Sequence, residues 1–131
     1  MDRHSGIASL NPLVIVVDDD AAVRNSLKFS LEIDGFAVRT YGSADELVRT
    51  GDLSDCRCLI VDQNMPHTTG SELVAALRKK GSEVPVILIS GNVTPALKTR
   101  ASNLGISVIE KPIVGNGLIE LIRTTIGTEP H

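Results

Sequence analysis

The sequence predicts an α/β domain built on a five-stranded parallel sheet with helices on both faces. Three observations predict it. Between residues 13 and 126, short aliphatic runs alternate with helix-like segments, which is the pattern of parallel βαβ units joined by right-handed crossovers. The run Val84 to Ser90 is almost uniformly apolar, as expected for a central parallel strand covered on both faces. The chain has 131 residues, 42% of them hydrophobic, enough for one layered core and too short for two.

Taken in order, residues 1–12 mix Gly, Ser, Asn and Pro and read as a loose arm. The first strand, Leu13 to Val17, runs into Asp18-Asp19-Asp20. A helix follows from Ala21 to Ile33, where Val23, Leu27, Phe29, Ser30 and Leu31 give a mixed but helical spacing, and Asp34-Gly35 closes it. The second strand, Phe36 to Tyr41, alternates as a half-buried strand does. Ser43 with Glu46 three residues on reads as a capping box for a short helix through Arg49.

The third strand, Cys58 to Asp62, ends on a carboxylate, and Met65-Pro66 with Gly70 reads as a loop. The third helix, Ser71 to Lys80, turns Leu73, Val74 and Leu77 inward and stops at Lys79-Lys80-Gly81, cations and a glycine suited to a helix carboxyl end. The fourth strand, Val84 to Ser90, leads to Gly91-Asn92. Thr94-Pro95 opens the fourth helix, Pro95 to Leu104. Its Lys98, Thr99, Arg100, Ser102 and Asn103 leave only Leu97, Ala101 and Leu104 to bury, so light docking is expected. The fifth strand, Ile106 to Glu110, precedes Lys111-Pro112. The fifth helix, Asn116 to Ile126, carries Leu118, Ile119, Leu121, Ile122 and Ile126. The domain is thus expected to span 13–126, with 127–131 a frayed tail.

Composition excludes several functions. Aromatic residues are confined to Phe29, Phe36 and Tyr41, too few for platforms that stack nucleic-acid bases. The net charge of -3 without a basic run argues against direct nucleic-acid binding by this domain. No apolar run approaches the ~18 residues of a membrane span, and Met1 to Gly6 lacks the apolar core of a signal peptide. The expected compartment is the cytoplasm. Cys56 and Cys58, one residue apart at the entry to a strand, are expected to point to one face, where a bridge would be strained. A Cys-x-Cys metal half-site has no histidine at ligand spacing to complete it, so both are expected to pack.

The chemistry comes from superposing strand ends. In an open parallel sheet, ligands bind beyond the carboxyl ends of the strands. Asp18, Asp19, Asp62, Ser90 and Lys111 would all emerge at that edge. Carboxylates gathered there repel one another, and a hard divalent cation held by oxygen ligands relieves the repulsion. Magnesium suits such a set, filling its octahedron with water and phosphate oxygens. One carboxylate could then attack a phosphoryl group while the metal and an ammonium share the developing charge. Taken singly, Asp18-Asp19-Asp20 could be a solvated helix cap, and Asp62, Ser90 or Lys111 a solvated strand end; the conjunction favours function.

On these residues the chain resembles a response-regulator receiver domain of two-component signalling, the CheY-like, flavodoxin-like phosphoacceptor family. The resemblance rests on Val17-Asp18-Asp19, Val61-Asp62 with Met65-Pro66 and Gly70, Ile89-Ser90-Gly91, and Glu110-Lys111-Pro112, and covers residues 13–126. It implies strand order 2-1-3-4-5. It implies that Asp62 is the phosphoacceptor, supplied by a sensor histidine kinase or a histidine phosphotransfer protein. Asp18, Asp19, Asp62 and the Asn64 backbone carbonyl would hold Mg2+. Ser90 would be the switch hydroxyl that turns toward the phosphate and Lys111 the phosphate's ion-pair partner, before a cis Lys111-Pro112 bond. The face of the fourth helix, fifth strand and fifth helix would be the surface for a homodimer or an effector. Where the family usually has a switching aromatic, this chain has Val108, and Ile113 also replaces a frequent aromatic.

Two rival readings are weighed against this one. A haloacid-dehalogenase-type phosphatase would use Asp18 and Asp20 as nucleophile and acid. It needs a further acidic pair after Lys111, where only Glu120 and Glu129 follow, and it leaves Asp62 idle. A receiver-fold docking module working without phosphate has Val108 as its support.

Overall fold

The computed structural model describes residues 11–113 and 115–127. The predicted arm lies outside these residues except for Asn11 and Pro12, and the predicted tail except for Gly127. The elements are β1 (Leu13–Val17), α1 (Ala21–Ile33), β2 (Ala37–Tyr41), α2 (Ala44–Thr50), β3 (Cys56–Asp62), α3 (Gly70–Lys79), β4 (Val86–Ser90), α4 (Pro95–Leu104), β5 (Ser107–Glu110) and α5 (Gly117–Ile126). All strand pairs are parallel, in the order β2-β1-β3-β4-β5.

Three strands start later than their apolar runs suggest, for identifiable reasons. Phe36 donates its N–H to Leu31 O (3.1 Å) and Ile106 to Ala101 O (3.0 Å), so each residue finishes the preceding helix before its strand begins. Pro85 has no N–H to give to the ladder, and pairing begins at Val86.

Alternation along the strands divides the core into two layers. Ile15, Val17, Leu59, Val61, Val86 and Leu88 pack under α2, α3 and α4. Val14, Val16, Ile60, Ile87 and Ile89 pack under α1 and α5, with Leu31, Leu118 and Ile122. Full burial of one such side chain is worth roughly 1.5–3 kcal/mol, so the central strands hold the sheet edge steady for the loops it carries.

Some expectations change in three dimensions. On α1, Leu31 is buried and Leu27 packs half-buried against the same layer, but Phe29 points out and is 69% exposed, because it sits two positions from Leu27 and Leu31, on the far side of the helix. Cys56 and Cys58 face opposite layers. The register skips Arg57, pairing Leu13 with Cys56 and Val14 with Cys58, and such a bulge resets the alternation. Both cysteines are free and buried; loss of hydration pushes their thiols up to about 11 and about 12, so they are packing groups. Helix α4 docks through buried Leu97 and Ala101, with Leu104 half-buried and its carbonyl held by Arg78 Nε (3.2 Å). Ser43 does cap α2 (3.0 Å to Glu46 N), but Glu46 Oε1 accepts from Gly42 N (2.8 Å) instead of closing a box. The complete capping box is on α3, between Thr69 and Glu72. Among the described residues, no helix is long and apolar enough to cross a membrane.

Candidate functional site

Parallel strands in this order deliver the ends of β1, β3, β4 and β5 to one edge of the sheet. Asp18 follows β1 and is only 3% exposed, Asp62 closes β3 at 5%, and Asp19 is exposed between β1 and α1. Carboxylate oxygens from Asp18, Asp19 and Asp62 all lie within 4.8 Å of one another. Asp20 does not join them. Its Oδ1 accepts from Ala22 N (2.9 Å) and Val23 N (3.3 Å), capping α1 as a short acidic side chain before a helix should.

Lys111, just past β5, brings its Nζ to 3.3 Å from Asp62 Oδ1. It is placed there by its own N–H on Ser90 O (2.9 Å) and precedes a cis bond to Pro112. Asp62 Oδ1 also accepts from Asn64 N (3.2 Å). Ser90 is buried at the same edge, but its hydroxyl accepts from Asn92 N and donates to Asn92 O, both at 3.1 Å. It therefore serves its own loop. Val108 pairs with Leu88 across the ladder and packs half-buried under the α2–α4 layer.

The electrostatics are those of an acidic pocket short of cations. Burial pushes the Asp18 carboxyl above the ordinary carboxylate range; the charges of Asp62 and Asp19 add to this, while the Asp20 N–H and Lys111 oppose it. Arg24 is close, but its Nη1 donates to the Asp18 backbone carbonyl (2.7 Å). Among the described residues, three clustered carboxylates against one ammonium leave surplus negative charge on hard oxygen donors. That donor set could hold a metal and fits a divalent cation such as magnesium.

Two contributors lie outside the motifs, and a third, Gly70, belongs to one but has a steric role the motif does not state. Arg24 fixes the carbonyl between the two acids. Gly70 is the first residue of α3, and a Cβ there would lie 2.7 Å from Asp62 O and 2.7 Å from Leu88 Cδ1. Gln63 sends its side chain to α3, joining Ser71. None of these contacts has a local sequence signal, because each is made with a partner brought close only by the fold.

His67, in the same loop, holds φ 71° without being glycine, a left-handed conformation costing a side-chain-bearing residue about 1–2 kcal/mol. Glycine relieves that strain but adds about 0.4–1 kcal/mol of unfolded-chain entropy. His67→Gly is therefore expected to stabilise the protein by roughly 0.5–1 kcal/mol, seen as a higher urea midpoint at unchanged slope. A lower midpoint would show that the His67 side chain contributes more than its strain costs.

The family model for the response regulator receiver domain matches residues 14–123. The chain belongs to this family. Among curated proteins, the receiver is 36% identical over 115 residues to the transcriptional regulatory protein FixJ of Azorhizobium caulinodans, covering 87% of this chain and 54% of that protein. It is 33% identical to the C4-dicarboxylate transport transcriptional regulatory protein DctR of Rhodobacter capsulatus, over 86% of this chain and 59% of the relative. The receiver thus spans little more than half the length of these relatives. The solved structure of FixJ-N superposes with a TM-score of 0.80 at 32% identity, covering 92% of this chain and 98% of that one. Chemotaxis protein CheY4 of Vibrio cholerae shares the fold, with a TM-score of 0.80 at 24% identity over 88% and 98% of the two chains. The architecture is therefore the CheY-like, flavodoxin-like one, and the chain is a signalling receiver of the two-component response-regulator class.

Proposed function

We propose that this receiver is a phosphoswitch in which Asp62 accepts a phosphoryl group from a phosphohistidine, borne by a sensor histidine kinase or a histidine phosphotransfer protein in the cytoplasm. The observation that carries the reading is the meeting of three carboxylates within 4.8 Å, with Lys111 at 3.3 Å from one of them. Asp18, Asp19, Asp62 and the Asn64 backbone carbonyl would hold Mg2+. Bound there, the ion supplies positive charge to the phosphoryl oxygens.

The chain's own residues do the rest. Among the described residues, Lys111 and Asn64 N both engage Asp62 Oδ1, which leaves Oδ2 to attack phosphorus. An O–P bond forms, the N–P bond of the phosphohistidine breaks, and the electron pair returns to the imidazole. Lys111 neutralises part of the charge that the acyl phosphate adds. Beside it, Ala22, Val23, Leu27, Pro112 and Ile113 line a groove of about 700 Å³ that reaches Lys111, offering the donor protein an apolar surface next to the reacting carboxylate.

The phosphoryl oxygens then compete for Ser90, whose hydroxyl is held, among the described residues, by the backbone of Asn92 alone. Turning Ser90 inward draws residues 91–94 with it. Thr94 caps α4 through Leu97 N (3.1 Å), so the loop shift is passed to α4 and β5, the face offered to a homodimer or effector. With Val108 in place of an aromatic gate, loop and helix carry this relay. Val108 is also what favours the second reading, a docking module that works without phosphate.

Intact mass after incubation with acetyl phosphate discriminates the two. A phosphoryl adduct is expected on the native chain with Mg2+, and none with chelator or on Asp62→Ala. A native chain that binds Mg2+ but takes no adduct would sink the phosphoswitch in favour of docking.

A further inference from the structure

Gln63, directly after the acceptor, makes more hydrogen bonds than a loop residue needs for its own backbone. Its N–H donates to Ile89 O (2.8 Å), tying it to β4. Its carbonyl accepts from Gly70 N (3.2 Å), closing the loop of residues 64–69 at the neck. Its Oε1 accepts from Ser71 N (2.8 Å), and its Nε2 donates to Ser71 Oγ (3.2 Å). The amide orientation is forced, because a backbone N–H can only donate.

The first turn of a helix has N–H groups without intrahelical partners. In α3, Glu72 N goes to the cap Thr69 Oγ1 (3.2 Å), while Gly70 N and Ser71 N both go to Gln63. A residue outside the helix therefore caps two of its first three donors. Ser71 is 1% exposed, so its N–H has no water to fall back on and leaving it unpaired is expensive; its hydroxyl keeps a long contact to Thr69 Oγ1 (3.4 Å).

We infer that Gln63 is a positioning residue for phosphorylation, its carboxamide clipping the β3–α3 loop to the first turn of α3 so that the Asn64 N–H stays on Asp62 Oδ1. The inference rests on the reading of Asp62 as phosphoacceptor. Without the clip, the backbone bonds of Gln63 with Ile89 O (2.8 Å), Gly70 N (3.2 Å) and Met65 N (3.3 Å) remain among the described residues, but the carboxamide link to the first turn of α3 is gone and Asn64, one residue on, is held less firmly. The Asn64 N–H and carbonyl move together, so acceptor orientation and the expected metal ligand loosen at once. Misplacement on the order of 1 Å costs up to about 100-fold in rate.

The test compares Gln63→Ala, Ser71→Ala and Gln63→Glu with the native chain. The glutamate variant keeps an acceptor for Ser71 N, and the Ser71 hydroxyl can reverse to donate to it. Two readouts are taken: amide hydrogen exchange at Asn64, and the rate of adduct formation with acetyl phosphate and Mg2+. Expected are faster Asn64 exchange and a rate lower by roughly tenfold in Gln63→Ala, with β1 and β4 amides unchanged. A smaller change is expected in Ser71→Ala, and restored Asn64 protection in Gln63→Glu. If Gln63→Ala does not fold, Gln63→Met, which fills the same space but offers Ser71 N no acceptor, decides the matter in its place: native Asn64 exchange and a native rate in that variant overturn the clip, whereas Ser71→Ala keeps the 2.8 Å bond from Ser71 N and bears only on the Nε2 contact. Faster exchange at an unchanged rate overturns the positioning role alone. No adduct on the native chain overturns the phosphoacceptor reading and the positioning role with it, even though exchange would still report the clip.

Discussion

Asp18→Asn is expected to make the metal-free protein more stable and almost blind to magnesium. The Asp18 carboxyl sits above its ordinary value of 3.8, chiefly through burial and further through Asp62 and Asp19. A folded-state value above the unfolded one means the folded chain holds the proton more tightly. Asp18's contribution to stability is therefore full below about 3.8 and is lost as pH rises through the raised value. At neutral pH the charge is present at a cost. Asparagine removes that charge and keeps an oxygen for the Asp20 N–H, now 2.9 Å from Asp18 Oδ1. A gain of about 1 kcal/mol is expected at neutral pH, shrinking toward zero in acid.

Magnesium binding should move the other way. Losing even an outer-shell partner typically weakens metal binding about 10- to 100-fold, so removing a carboxylate proposed as a direct, charged ligand should cost at least ~100-fold. At a magnesium concentration that stabilises the native chain by about 2.7 kcal/mol, the variant would gain only about 0.4 kcal/mol. Thermal melts with chelator and with Mg2+ read both effects. A variant that melts lower than the native chain in chelator, or keeps the full magnesium shift, would contradict an electrostatically strained metal site.

Gly70→Ala is the second large effect, and it opposes helix propensity. Alanine in a helix is favoured over glycine by about 1 kcal/mol. Here the added Cβ would lie 2.7 Å from the Asp62 carbonyl oxygen, 2.7 Å from Leu88 Cδ1 and 3.0 Å from Val61 Cγ1. Leu88 and Val61 are fully buried in the central strands, and the carbonyl is backbone, so none can withdraw at low cost. Overpacking of this kind costs roughly 1–3 kcal/mol or more, and a net loss of about 2 kcal/mol is expected. Because the clash bears on Asp62 itself, the rate of phosphorylation should fall as well. Gly91→Ala is the control, since a Cβ there meets nothing within 4 Å; it should stay within about 0.5 kcal/mol of the native chain. Equal stability of Gly70→Ala and the native chain would mean that α3 does not approach β3 this closely.

The five strands and five helices were legible in the sequence because each carries its own local signal. Aliphatic runs such as Val86 to Ile89 mark buried strands, Thr94-Pro95 marks a helix start, and glycines after Lys80 and Leu104 mark helix ends. The site was legible for a related reason: parallel strands must deliver their carboxyl ends to one edge, so acids at the ends of two strands and a lysine after a third are bound to converge. Asp18, Asp19, Asp62 and Lys111 do so. The features that were not legible depend on partners distant in the chain. The bulge at Arg57 exists only in the pairing of β3 with β1, so no spacing could show that Cys56 and Cys58 part company. Gly70 reads as a loop glycine until the Asp62 carbonyl is seen behind it. Gln63 is an amide beside the acceptor with no visible partner in the sequence until α3 presents two N–H groups to it. Local propensity and periodicity are carried by consecutive residues, whereas steric limits and hydrogen-bond demands on a side chain are imposed by whatever the fold sets against it.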